Sequence, residues 1–94
     1  MEYELRIYEA RAGELDEFVA EWKEHVVPLR RAAGFDLVGA WRTGDERFVW
    51  ILGYDGDFSA ADAGYYESDA RHAVDPDPAR HLERREHVRA KRVL

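Results

Sequence analysis

Three observations on the sequence predict an α+β fold. Residues alternate with period two from Glu2 to Glu9 and again across Phe35 to Tyr54. Between them, Glu14 to Ala33 repeats with a period of three to four. Polar turns at Gly44-Asp45-Glu46 and Asp55-Gly56-Asp57 cut the remainder into short elements.

The first element is a strand, with Tyr3, Leu5 and Ile7 on one face and Glu4, Arg6 and Tyr8 on the other. After the break at Ala10 to Gly13, Leu15, Phe18, Val19, Trp22, Val26, Leu29 and Ala33 mark the apolar stripe of an amphipathic helix, and Gly34 supplies its stop. Pro28 sits inside that stripe. It lacks the N–H that Glu24 would receive and its ring crowds that carbonyl, so the helix is expected to kink or loosen there.

Phe35 to Thr43 and Arg47 to Tyr54 form a hairpin. A weaker helix is expected from Phe58 to about His72, with Phe58, Ala61, Tyr65, Ser68 and His72 inward. Asp77-Pro78 then reads as the N-cap and first turn of a short third helix to about Glu86, and a final strand runs from His87 to Leu94, packed through Val88, Ala90 and Leu94. The order β-α-β-β-α-β in one domain, residues 1–94, fits a ferredoxin-like arrangement: a four-stranded antiparallel sheet with both helices on one face. The second hairpin strand is apolar on both faces, with Phe48, Trp50 and Leu52 against Val49 and Ile51. Two helices cover only one side, so an identical chain is expected to cover the other, giving a homodimeric α/β barrel.

Composition narrows the function classes. The net charge of −6 argues against a general nucleic-acid binder, although residues 80–94 carry six Lys/Arg against two Glu. That basic tail reads as a solvated face pairing with acidic neighbours. There is no cysteine, so disulfides, thiolate metal sites and a cysteine nucleophile are absent. No signal-like or membrane-spanning run is visible, and a cytoplasmic protein without membrane contact is expected. His72, His81 and His87 lack helical ligand spacing, so no metal site is expected, and no phosphate loop, nucleophile elbow or dinucleotide fingerprint implies a cofactor.

Several spaced residues carry a family resemblance. Tyr3-Glu4-Leu5-Arg6 with Tyr8, Gly13-Glu14-Leu15-Asp16-Glu17-Phe18, Trp22 with Glu24-His25-Val26-Val27-Pro28-Leu29, and Gly34-Phe35-Asp36-Leu37-Val38-Gly39-Ala40-Trp41 resemble the NIPSNAP family of the dimeric α/β-barrel superfamily. The resemblance spans residues 2–54 and is loose beyond. It implies an obligate dimer with a pocket between sheet and helices in each protomer. It also implies a superfamily that includes cofactor-free monooxygenases, haem-degrading enzymes, lactone isomerases and polyketide cyclases. The chain has neither asparagine nor glutamine, so no amide side chain can hold a substrate oxygen here.

Candidate site residues follow. His25 falls on the shoulder of the buried helix face, where a bend at Pro28 could tip it into a cavity as general acid or base, or where it is simply hydrogen-bonded to backbone. Arg6 and Tyr8 share a strand face; Arg6 either holds a substrate carboxylate or enolate or pairs with Glu4. Trp22, Trp41, Trp50, Tyr54, Tyr65, Tyr66 and His72 are either core or the walls of a pocket for a flat aromatic molecule. The function expected is therefore a dimeric pocket protein that binds a hydrophobic aromatic or polyketide-like molecule and acts on it without metal or organic cofactor. The alternative is a non-catalytic dimer in which His25 and Arg6 are structural.

Overall fold

A computed structural model describes residues 1–94. Strands β1 (Glu2–Ala10), β2 (Asp36–Thr43), β3 (Arg47–Tyr54) and β4 (Leu82–Ala90) form one antiparallel sheet in the order β2-β3-β1-β4. Helices α1 (Leu15–Glu21) and α2 (Val27–Ala32) lie between β1 and β2. Helices α3 (Phe58–Glu67) and α4 (Asp69–His72) follow β3. This is the predicted ferredoxin-like topology. No helix is long and apolar enough to cross a membrane.

Between α1 and α2 the chain makes a π-helical turn, Trp22–Val26, in which the Val27 N–H donates to the Trp22 carbonyl five residues back. The loosening expected at Pro28 takes this form, and it moves the buried stripe. A π-turn inserts one residue, so the stripe Leu15, Phe18, Trp22, Val26 continues at Arg30 rather than at Leu29. Leu29 is only partly buried, whereas Arg30 is 1% exposed.

The second helix is also interrupted. Ser68 is extended, donates its hydroxyl to the Tyr65 carbonyl and accepts the Arg71 N–H, ending α3 and capping α4. The predicted third helix is corrected to a single 3₁₀ turn, Pro78–His81. From Leu82 the chain is strand, because the free edge of β1 pairs with it from Ala10↔Leu82 to Tyr3↔Ala90, and sheet pairing overrides the local helix signal. The last strand accordingly starts earlier than predicted, and Leu94 lies exposed beyond it instead of packing.

The two sheet faces differ in chemistry. Under the helices lie Glu4, Arg6 and Tyr8 of β1 with Phe48, Trp50 and Leu52 of β3, all buried. Aromatic rings fill this side: Trp22 meets Phe48 at 4.9 Å and Trp50 at 5.3 Å, edge to face. The opposite face carries Leu5, Ile7, Val49 and Ile51, all partly exposed, with Trp41 and Val88 exposed. Tyr3 and Trp41 lie flat on it, because Gly53 and Gly39 leave room: a Cβ at Gly53 would come within 2.8 Å of the Tyr3 ring, and one at Gly39 within 2.6 Å of the Trp41 ring.

Candidate functional site

A cavity of about 500 Å³ opens between the sheet and the helices. Its floor is Tyr8 and Trp50, and Arg85 stands beside them on β4, opposite Tyr8. One wall comes from the first helical segment through Phe18, Trp22, Val26 and Arg30; Tyr65, Tyr66, Arg71 and His72 form the other. The loop after α4, with Val74, Asp75 and Asp77, closes the remaining side together with Pro78 and Leu82.

Polar side chains organise the floor and one wall. Arg6 is fully buried behind the cavity, where its guanidinium donates to Glu4 Oε1 at 2.8 Å, to the Tyr66 hydroxyl at 2.8 Å and to Asp62 Oδ1 at 2.9 Å. Arg30 Nη1 donates to the same Asp62 oxygen at 2.7 Å, and its Cζ lies 3.7 Å from the Tyr65 ring centre and 4.6 Å from that of Phe35. Arg71 Nη2 donates to Asp77 Oδ1 at 2.8 Å. Burial pushes the Tyr8 and Tyr65 phenols above their usual range; Arg6 opposes this at Tyr8, as Arg30 and Arg71 do at Tyr65. Both hydroxyls therefore keep their protons at neutral pH.

Five buried donors in this region make no hydrogen bond of good geometry: Trp22 Nε1, Trp50 Nε1, Arg30 Nε, Arg71 Nε and the Tyr65 hydroxyl. The Trp50 side chain still approaches the Tyr8 hydroxyl, and that of Arg71 the Tyr65 hydroxyl, closely enough to lower their pKa values against the effect of burial. Each such group left unpaired costs about 1–3 kcal/mol.

The structure sorts the sequence candidates. Tyr8, Trp22, Trp50, Tyr65, Tyr66 and His72 are brought together around the cavity. Arg6 is not in the lining but lies behind Tyr66 and Trp50, and its three acceptors lie within the chain, so the pairing with Glu4 is the arrangement present. His25 is not in the lining. Its side chain is 43% exposed with Glu24 at 3.8 Å, because the π-turn directs Trp22 and Val26 inward and leaves His25 on the outer shoulder. Trp41 lies on the opposite sheet face, and Tyr54 packs on Phe35 at 5.1 Å, away from the cavity.

Arg30, Arg71, Arg85 and Asp62 are the residues that sequence reasoning missed. Pro28 was the one signal near Arg30, since it marks a loosened helix, but it does not say to which residue the buried stripe moves. Nothing in the local pattern marked Arg71, which enters the wall only because the chain breaks at Ser68.

A second polar cluster surrounds His81. Its Nδ1 lies 2.8 Å from Glu14 Oε1 and its Nε2 3.1 Å from Glu21 Oε2; Glu21 also receives both Arg80 amino groups, at 2.7 and 2.8 Å. Ligand atoms of Glu17, Glu21 and His81 fall within 4.8 Å of one another. The hydrogen bond that His81 donates to Glu14, reinforced by the one to Glu21, raises the His81 pKa despite burial and so favours the protonated ring, which has no lone pair for a metal. The cluster clamps the 3₁₀ turn onto α1.

Solved structures share this fold. A NIPSNAP domain protein from Burkholderia xenovorans superposes with a TM-score of 0.83 over 98% of this chain and 94% of its own, at 23% identity. A NIPSNAP family protein from Agrobacterium tumefaciens gives 0.84 over 96% and 90%, at 21% identity. A protein described as an antibiotic biosynthesis monooxygenase gives 0.75 over the full length of both chains, at 14% identity, a likeness of fold alone. No curated protein matches the chain in sequence. The model of the NIPSNAP family matches residues 3–78, which takes in β1, both helical segments, the hairpin and the wall that carries Tyr65, Tyr66 and Arg71, and on that match this chain belongs to the NIPSNAP family.

Proposed function

We propose that this protein is a homodimeric small-molecule-binding protein whose cavity takes a hydrophobic, ring-bearing molecule. The observation that carries this reading is the cavity of about 500 Å³ walled by Tyr8, Phe18, Trp22, Trp50, Tyr65 and Tyr66. That size suits a small organic ligand, and aromatic walls with a few polar groups are what such ligands select. The dimer is supported by the apolar outer sheet face, where Leu5, Ile7, Val49 and Ile51 stay partly exposed and Trp41 and Val88 are exposed.

Tryptophan emission tests the binding. Trp22 and Trp50 line the cavity and Trp41 does not. Titration with a panel of flat polycyclic compounds should give a saturable change in emission that survives Trp41→Phe. A panel without a single saturable response would overturn the reading.

The fold neighbour described as an antibiotic biosynthesis monooxygenase favours a second reading, in which the bound molecule is transformed without metal or organic cofactor, by oxygenation, isomerisation or cyclisation. His72 at the cavity rim, rather than His25, is then the acid/base group within reach of a ligand. Loss of product formation in His72→Ala with binding retained is the outcome this reading requires.

A further inference from the structure

The cavity's polar groups bear on what kind of ring compound it holds. All five unpartnered buried groups, on Trp22, Trp50, Arg30, Arg71 and Tyr65, belong to residues that line the cavity. All five are donors. Indole and guanidinium N–H groups cannot accept, and burial keeps the Tyr65 hydroxyl protonated.

Two of the nearby carboxylates are engaged through one oxygen each, and Asp75, the third, pairs with none of these groups. Asp62 Oδ1 receives both Arg6 and Arg30, and Asp77 Oδ1 receives Arg71 and the Ala79 N–H. The lining also holds three arginines against two aspartates, in a chain whose net charge is −6. Native cores leave few buried polar groups unpaired, so five donors around one cavity favour a ligand that brings acceptors of its own.

Resting on the binding function proposed above, we infer that the ligand is a ring-bearing organic anion, a carboxylate or enolate. Its oxygens seat among the Tyr65 hydroxyl, Arg30 and Arg71, and its ring lies against Trp22 and Trp50. Arg30 and Tyr65 are already in contact, with the guanidinium carbon 3.7 Å from the ring centre, and Arg71 is close enough to Tyr65 to perturb its phenol. Arg30 comes from the first wall and Tyr65 and Arg71 from the second, so donors of both walls lie beside one cavity. Hydrogen bonds from charged donors are the strong ones.

Calorimetric titration of the full chain with 2-naphthoate and with 2-naphthylmethanol, the same ring without the charge, separates the possibilities. The carboxylate should bind at least about tenfold tighter. Tyr65→Phe keeps the ring and removes the hydroxyl, and Arg71→Met removes the charge; each should shrink that advantage severalfold, weakening the carboxylate much more than the carbinol, with folding checked by circular dichroism. Equal binding of the two probes by the unmodified protein overturns the anion inference and leaves the cavity function standing. Failure of both probes overturns the two together. An advantage that persists in both variants places the anion elsewhere and also overturns the inference.

Discussion

Arg6 and Arg30, one on the central strand β1 and one on helix α2, meet on a single oxygen: Asp62 Oδ1 lies 2.9 Å from Arg6 Nη2 and 2.7 Å from Arg30 Nη1. Both guanidinium groups are buried, and the carboxylate between them is 23% exposed. One aspartate on α3 thus joins three elements beneath the cavity. Asp62→Asn should lower unfolding free energy by about 2–4 kcal/mol, because two buried cations lose their shared counter-charge while Arg6 retains Glu4. Urea denaturation measures this. Arg30→Met should cost less, since Arg6 still satisfies Asp62, and an Asp62→Asn loss below about 0.5 kcal/mol would show the clamp to be energetically idle.

Two histidines should make stability depend on pH in opposite directions. His81 gains Glu14 and Glu21 on folding, which raises its pKa, and it faces Glu17 and Arg80 as well. A raised folded pKa stabilises fully below the unfolded value near 6.5 and is lost as pH rises through the folded one. His87 behaves the other way. Burial and then Arg6 depress its pKa, with Glu4 opposing, so stability increases as pH climbs from the folded value toward the unfolded one. Between pH 5 and 8, His81→Gln should remove the loss on the alkaline side and His87→Gln the loss on the acid side, read from denaturation midpoints. Identical pH profiles for the two variants would contradict both assignments.

Much of this architecture was legible because it is written in period. Tyr3, Leu5 and Ile7 against Glu4, Arg6 and Tyr8 give β1 its two faces, and Phe48 to Leu52 give β3 two apolar ones. The cavity was legible in part for the same reason: Trp22, Trp50 and Tyr65 fall on inward positions whichever side is asked about. Arg30 was not. A constant 3.6-residue period carries the stripe to Leu29, and only the π-turn, a three-dimensional response to Pro28, moves it on by one. The start of β4 was hidden similarly, since Asp77-Pro78 is a sound helix start whose continuation is decided by the open edge of β1, far away in sequence.

The outer sheet face gives a third expectation. Ile51 lies in the middle of β3, side by side with Leu5 of β1 and opposite Gly39 of β2, at the centre of the apolar patch. In the proposed dimer a lysine there would place a charge in the middle of an apolar sheet-to-sheet interface, while in a lone chain the same residue would be partly solvated. Ile51→Lys should therefore convert a dimer into a folded monomer in sedimentation equilibrium with circular dichroism unchanged. An unmodified chain that sediments as a monomer at micromolar concentration would remove the premise.

His25 and Trp22 sit three residues apart on the same π-turn and should behave as opposites. Trp22 is buried against Phe48 and Trp50 and lines the cavity, so Trp22→Ala should cost about 3–5 kcal/mol and abolish ligand-dependent stabilisation. His25 points past the shoulder of the helix with Glu24 as its nearest ion-pair partner, at 3.8 Å. An exposed side chain with one loose contact contributes little, so His25→Ala should change stability by no more than about 0.5 kcal/mol. Ligand affinity should not change at all. Thermal melts with and without 2-naphthoate measure both quantities in one experiment. A His25→Ala protein that melts normally but no longer responds to the ligand would mean that the first helical segment moves on binding and brings the imidazole to the cavity, restoring to it the chemical role that its period in the sequence first suggested.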